Sequence, residues 1–223
     1  MLPTSLKSRL KLYFPFEKIE GEQVHDRSGN GFSGSIHGAV SHNEGRVGGA
    51  IEFDHPKDRV DVLDEQLLPT AKSADRTFMC WVKLDKRTEP HARILGKGGG
   101  RPKGFVWLYG NQDGARKQVV RINRKNMLSD SELPVGTWQH IAIALTDTKI
   151  DFYLNGIKDG SREIQGPIVP GSSSVFSLFD ASSREKEKQG RGLMDELMIF
   201  NKRLSASEVQ QVYRWVGGRS LTR

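Results

Sequence analysis

Near the N-terminus, Leu10, Leu12, Phe14 and Phe16 alternate with Lys11, Tyr13, Pro15 and Glu17. A period of two is that of a strand with one buried face. Pro15 cannot donate to a ladder, which places it at an edge or a bend. Alternation or short apolar runs recur and predict further strands over 47–53, 59–63, 78–84, 104–109, 117–123, 138–145, 149–154, 174–179 and 193–200, with another starting at 93–95. Residues 54–58 read as a turn and 110–114 as a hairpin loop. Asn155-Gly156 is a stronger hairpin signal, because both residues accept positive φ. The Gly-rich stretches 26–34 and 97–104 read as loops. Residues 205–215 are the one convincing helix: Val209, Val212, Tyr213 and Val216 recur at helical spacing, and Ser205 with Glu208 makes a capping box. Many short strands, regular turns and one terminal helix predict an all-β sandwich.

Composition narrows this picture only a little. The chain has 223 residues and no spacer, repeat or low-complexity tract, which favours one domain over 1–223. Its single cysteine, Cys80, excludes an intramolecular disulfide. Cys80 lies in an apolar run and reads as a small buried hydrophobe. No apolar run reaches membrane length, so no membrane insertion is expected. The opening Met1-Leu-Pro-Thr-Ser-Leu-Lys-Ser-Arg9 has no apolar signal core. With 34 Lys+Arg against 27 Asp+Glu, the formal net charge is +7. That balance favours acidic glycans or acidic surfaces as partners; scattered and partly paired charges, as in 184–188, equally suit a solvated basic surface and make nucleic acid a poor candidate.

Three blocks carry a family resemblance. The first is Leu193-Met-Asp-Glu-Leu-Met-Ile-Phe-Asn-Lys-Arg-Leu-Ser-Ala-Ser-Glu208, a strand interrupted by the acidic pair Asp195-Glu196 that exits into the capped helix. The second is Asp26-Arg-Ser-Gly-Asn-Gly-Phe-Ser-Gly34, and the third is Gly48-Gly-Ala-Ile-Glu-Phe-Asp54. With Phe78–Lys83 and Trp138–Ala142 they resemble, in order, the laminin-G-like, concanavalin A-like lectin and glucanase domains, over about residues 10–216. The resemblance implies a jelly roll of two antiparallel sheets with a short C-terminal helix. Most members of that family are exported, so an extracellular protein with its signal removed is one expectation; a chain that never had a signal would suit a virion-surface component or a cytosolic protein, and the compartment stays open.

Catalytic patterns are missing. A retaining glucanase on this fold needs closely alternating acids on one strand. Asp195 and Glu196 are adjacent, so simple alternation sends them to opposite faces. There is no Gly-x-Ser-x-Gly elbow and no phosphate-binding Gly-Lys-Ser/Thr loop; Lys97-Gly-Gly-Gly-Arg101 lacks a following helix. The chain is therefore expected not to be an enzyme. By resemblance, Asp26, Asn30 and Asp195 are the expected ligands of one structural calcium, an ion that takes several hard oxygens. Asp26 and Asn30 equally suit Asx hydrogen bonds in a turn. Trp107 and Tyr109, two apart on one strand, are candidates for a sugar-stacking platform, with Arg121, Asn123 and Lys125 on the partner strand as polar contacts. Core packing is the competing role for both rings. Trp81 and Trp138 read as structural. The expected function is a non-catalytic, lectin-like binding module for glycans, anionic ones included, or for another surface ligand. The alternative is a structural or interaction protein, such as a virion decoration or fibre component with protein partners.

Overall fold

In the computed structural model the alternating N-terminal segment is the first strand of a two-sheet sandwich. The structure describes residues 2–63, 67, 69, 74–89, 91–97, 105–110, 115–168, 175–179 and 190–219. In chain order the elements are α1 (Thr4–Lys7), β1 (Leu10–Phe14), β2 (Gln23–His25), β3 (Ser33–His37), β4 (Val40–His42), β5 (Ala50–Phe53), β6 (Arg59–Leu63), β7 (Arg76–Leu84), β8 (Ala92–Lys97), β9 (Phe105–Tyr109), β10 (Gln118–Ile122), β11 (Lys125–Leu128), β12 (Gln139–Leu145), β13 (Lys149–Leu154), β14 (Ile157–Glu163), β15 (Val175–Leu178), β16 (Gly192–Phe200) and α2 (Ala206–Arg219). Among the described residues the first sheet runs β14-β13-β12-β7-β16-β5-β4 with β1 also on β16, and the second runs β11-β10-β9-β8-β15-β6-β3-β2. Their pairings are antiparallel, as in a concanavalin A-like jelly roll.

Alternation fills the space between the sheets. Phe78, Cys80, Val82 and Leu84 of β7 face Phe105, Trp107 and Tyr109 of β9 across one apolar cluster, with Phe78 stacked on Phe105 at 4.9 Å. The opposite face of the first sheet is apolar too. Met79, Trp81, Ala142, Tyr153, Met198 and Phe200 make a second cluster, roofed by Leu6 of α1 and by Val209, Val212 and Val216 of α2. The helix starts as its sequence requires: Ser205 N–H donates to Glu208 Oε2 at 2.8 Å, and Glu208 N–H to Ser205 Oγ at 3.3 Å. The Asn155-Gly156 turn has φ of 51° and 77°. Gly156 is required there twice over, since a Cβ would also lie 2.7 Å from the Tyr213 ring of α2.

One element departs from simple alternation. β16 carries an irregularity between Asp195 and Met198, and Glu196 has φ 51°. Such a bulge gives one strand an extra residue and resets which face the following residues occupy. Met194 and Leu197 face the inter-sheet core, while Asp195 pairs with Trp81 and Glu196 accepts a hydrogen bond from Tyr13 Oη at 2.8 Å. Both acids thus lie on the helix-covered side, correcting the opposite-face expectation. The bulge also divides β16 between two neighbours: Gly192–Met194 pairs with β5, and Leu197–Phe200 pairs with β1.

Candidate functional site

The two outer faces differ. That of the first sheet is largely roofed by helices, whereas the second sheet presents partly exposed polar side chains outward around Asp61 and around Arg121, with the buried Ser177, Val106, Leu108 and Val119 between them. Register aligns Gln23, Ser35, Asp61, Ser177, Gly96, Val106, Arg121 and Asn126 in one row across that sheet. Residues flanking this row along each strand, such as Val60, Val62, Val120 and Ile122, point into the core.

Asp61 is the hub of the row. Arg59 Nε donates to Asp61 Oδ2 at 2.9 Å, His37 Nε2 lies 3.1 Å from the same oxygen, and Ser177 Oγ donates to Oδ1 at 2.6 Å. Three neighbouring strand residues therefore hold one carboxylate in a partly exposed, fixed geometry. Further along, Arg121 Nε donates to Asn126 Oδ1 at 2.7 Å. Arg121 is half-buried, and burial lowers its pKa from the ordinary guanidinium value. An arginine and a clamped Arg–Asp–His–Ser cluster on a pleated face can offer hydrogen bonds to hydroxyl and acid groups. They carry no general acid and nucleophile pair.

The expected aromatic platform is divided by the sheet. Trp107 and Tyr109 are 0% and 1% exposed and belong to the inter-sheet core. Trp107 pairs with Val120, whereas Arg121 pairs with Val106, whose side chain lies on the outer face with Leu108 and Val119. Cross-strand partners share a face. Trp107 and Arg121 are thus on opposite sides, and neither aromatic ring has a face open to a sugar. Asn123 occupies the β10–β11 turn at φ 51° and donates through Nδ2 to Pro167 O at 2.6 Å. Lys125 Nζ bonds Gln165 Oε1 at the sheet edge. Of the expected ligand-binding set, only Arg121 joins the registered row on the outer face. His37, Arg59, Asp61 and Ser177 were not singled out from sequence: the strand over 59–63 was legible, but which sheet face stays open was not.

The expected calcium residues serve as backbone anchors. Asp26 Oδ1 accepts Tyr13 N–H and Ser28 N–H, both at 2.8 Å, and Oδ2 accepts Ser28 Oγ at 2.6 Å. Asn30 Nδ2 donates to the carbonyls of Leu10 and Lys11 at 3.0 and 3.1 Å. Asp195 is fully buried; its Oδ2 accepts Val47 N–H at 2.9 Å and its Oδ1 accepts Glu196 N–H at 2.7 Å. Burial first, then the Glu196 charge, pushes the Asp195 carboxyl up to about 8. Among the described residues no three His, Cys, Asp or Glu side chains are placed to hold a metal ion. A carboxylate whose oxygens already accept N–H and O–H donors, and which is held neutral by burial, is a poor ligand for a hard cation. This donor set does not fit calcium as it stands. Excess chelator should accordingly leave the melting curve unchanged; a fall of several degrees that calcium reverses, and that Asp26→Ala abolishes, would establish the ion.

The family model for the concanavalin A-like lectin/glucanases superfamily matches residues 56–210. No curated protein sequence matches the chain. Among solved structures, domain 4 of an extracellular arabinanase from Geobacillus stearothermophilus, in complex with arabinotriose, superposes with TM-score 0.73 at 18% identity, covering 92% of this chain and 98% of that one. The binding domain of Paraclostridial Mosquitocidal Protein 1 gives TM-score 0.72 at 18% identity, covering 93% and 52%. A structure of botulinum neurotoxin type C, whose cell entry depends on two ganglioside molecules, gives 0.72 at 11% identity, covering 95% and 52%. The chain spans about half the length of these two toxin chains. At such identities the likeness is one of fold. No helix among the described residues is long and apolar enough to cross a membrane.

Proposed function

Because the chain belongs to the concanavalin A-like lectin/glucanases superfamily, we propose that it is a non-catalytic binding module that holds an acidic glycan at the partly exposed polar groups on the outer face of the second sheet. The observation that carries this reading is the pair of partly exposed polar groups in register on that face, Asp61 with Arg59 and His37 on one side and Arg121 with Asn126 on the other, separated by the buried Ser177, Gly96 and Val106. Arg59, Arg121, His25 and His37 share that face with one carboxylate on the described strands, Asp61, and Asp61 is already engaged by Arg59 and His37. The net charge of +7 points the same way. Two of the structural neighbours support the ligand class: the arabinanase domain was solved with arabinotriose, and the type C neurotoxin interacts with gangliosides. No observation favours the alternative of a structural brick.

A glycan array and a heparin column test this together. Binding should weaken with salt, because attraction at an exposed face is screened over roughly 8–10 Å at ordinary ionic strength. Arg121→Ala should weaken it about ten-fold or more, since a charge-assisted hydrogen bond contributes about 1.5–3 kcal/mol and each 1.4 kcal/mol is ten-fold. Asp61→Asn should weaken it as well by releasing Arg59 and Ser177. Retention unchanged in both variants would remove the site from this face.

A further inference from the structure

The helix roof over the first sheet stops short of one end, and a cleft of about 270 Å³ opens there on the outer face. Its floor is a second registered row: Glu52 of β5 pairs with Leu193 of β16, and Leu193 with Lys83 of β7. All three are partly exposed, while their chain neighbours Phe53, Met194, Val82 and Leu84 point into the core. One wall carries no side chain. Gly192 has φ 134°, and a Cβ there would lie 2.2 Å from Lys83 O, so only glycine fits. Gly136 leaves a second gap beside it.

One end of the cleft is closed by a fixed cation. Arg87 is pinned there by Asp85 and Asp54 at 2.9 Å each, and Arg191 reaches Asp54 at 3.1 Å. These two arginines are neutralised where they stand. Glu52 and Lys83 take no part in that network and, among the described residues, line the cleft with no ion-pair partner, with Lys86 beside Arg87 as the further cation of the lining. They sit two strand spacings apart, about 9–10 Å, across the apolar Leu193.

We propose that this cleft is a second ligand site that takes an ω-amino acid: an ammonium group against Glu52, a carboxylate against Lys83, and an apolar spine over Leu193. A partly enclosed site favours such a molecule, because each ligand charge meets an opposite charge that has no internal partner to lose. A ligand with only one of the two charges leaves either Glu52 or Lys83 uncompensated. The site is separate from the sheet face assigned to glycan and does not rest on that assignment.

The test uses the whole chain with 6-aminohexanoate, hexanoate and hexylamine, followed by NMR shift titration or calorimetry. The zwitterion should bind at least ten-fold more tightly than either singly charged analogue. Glu52→Gln and Lys83→Gln should each remove that preference, and Arg121→Ala should leave it intact. Both substituted side chains are partly exposed and make no ion pair or side-chain hydrogen bond among the described residues, and Gln keeps most of their bulk, so thermal melts of the variants should stay close to the parent. Equal binding of all three probes, absence of binding at millimolar 6-aminohexanoate, or a preference that survives in both variants would overturn the proposal. Loss of heparin binding with 6-aminohexanoate binding retained would sink the glycan reading alone.

Discussion

Trp107→Ala should destabilise the protein by about 3–5 kcal/mol and leave glycan affinity unchanged in the folded protein. The magnitude is that of truncating a large aromatic in a packed core, where lost transfer energy adds to the cavity left behind. Trp107 is 0% exposed, pairs with Val120 on one side and Leu95 on the other, and lies in the cluster filled by both sheets. For a chain of this size such a loss lowers the melting temperature by about 10 °C. Trp107→Phe should cost much less. It keeps most of the ring volume and removes an indole N–H that has no hydrogen-bond partner. Heparin binding measured well below the melting temperature separates core from platform. A variant that melts like the parent but no longer binds would return Trp107 to the ligand site.

The same residue shows where sequence reading stops. The strand over 104–109 was legible, because its apolar residues are nearly continuous. Continuity, however, hides the face: with Val106 and Leu108 as apolar as Trp107 and Tyr109, period two leaves the inward set undecided. The family blocks made the architecture and the capping box legible, and both are present. The strands that escaped notice share a cause. In β3 only Gly34 and Ile36 face inward, and β14 has no apolar residue after Ile157, so backbone pairing to β6 and β13 holds them in place. The turn into β11 uses Asn123 and Arg124 at φ 51° and 67°, without the glycine that would announce it. Residues 98–104 and 111–114, expected as loops, lie outside the described residues. The bulge at Glu196 cost the most, because one extra residue reverses every facing downstream, and nothing in Asp195-Glu196-Leu197 signals it.

That bulge buries a carboxyl group, and Asp195→Asn should be less stable than the parent near pH 5 and more stable near pH 8. Burial and the neighbouring Glu196 and Glu17 raise the Asp195 pKa to about 8, against a lowering by the Val47 and Glu196 N–H groups. The unfolded chain titrates near the ordinary aspartate value of about 3.9. Between these values the fold keeps a proton that the unfolded chain has released. The contribution is therefore fully present below about pH 4 and falls as pH rises through 8, at up to about 1.4 kcal/mol per unit. Asparagine has the same shape and does not titrate, which makes its own curve flat at this site. It accepts through one oxygen only, so one of the two N–H donors, Val47 or Glu196, loses its partner at a cost of about 1–3 kcal/mol. At low pH that cost dominates and the parent is more stable. At high pH the parent carries a buried charge beside Glu196, and the order reverses. Denaturant melts of both proteins from pH 5 to 9 measure the difference directly, with other carboxylates cancelling between them. Parallel curves would show that Asp195 is ionised throughout and that the Gly45–Gly49 loop is held by a charge.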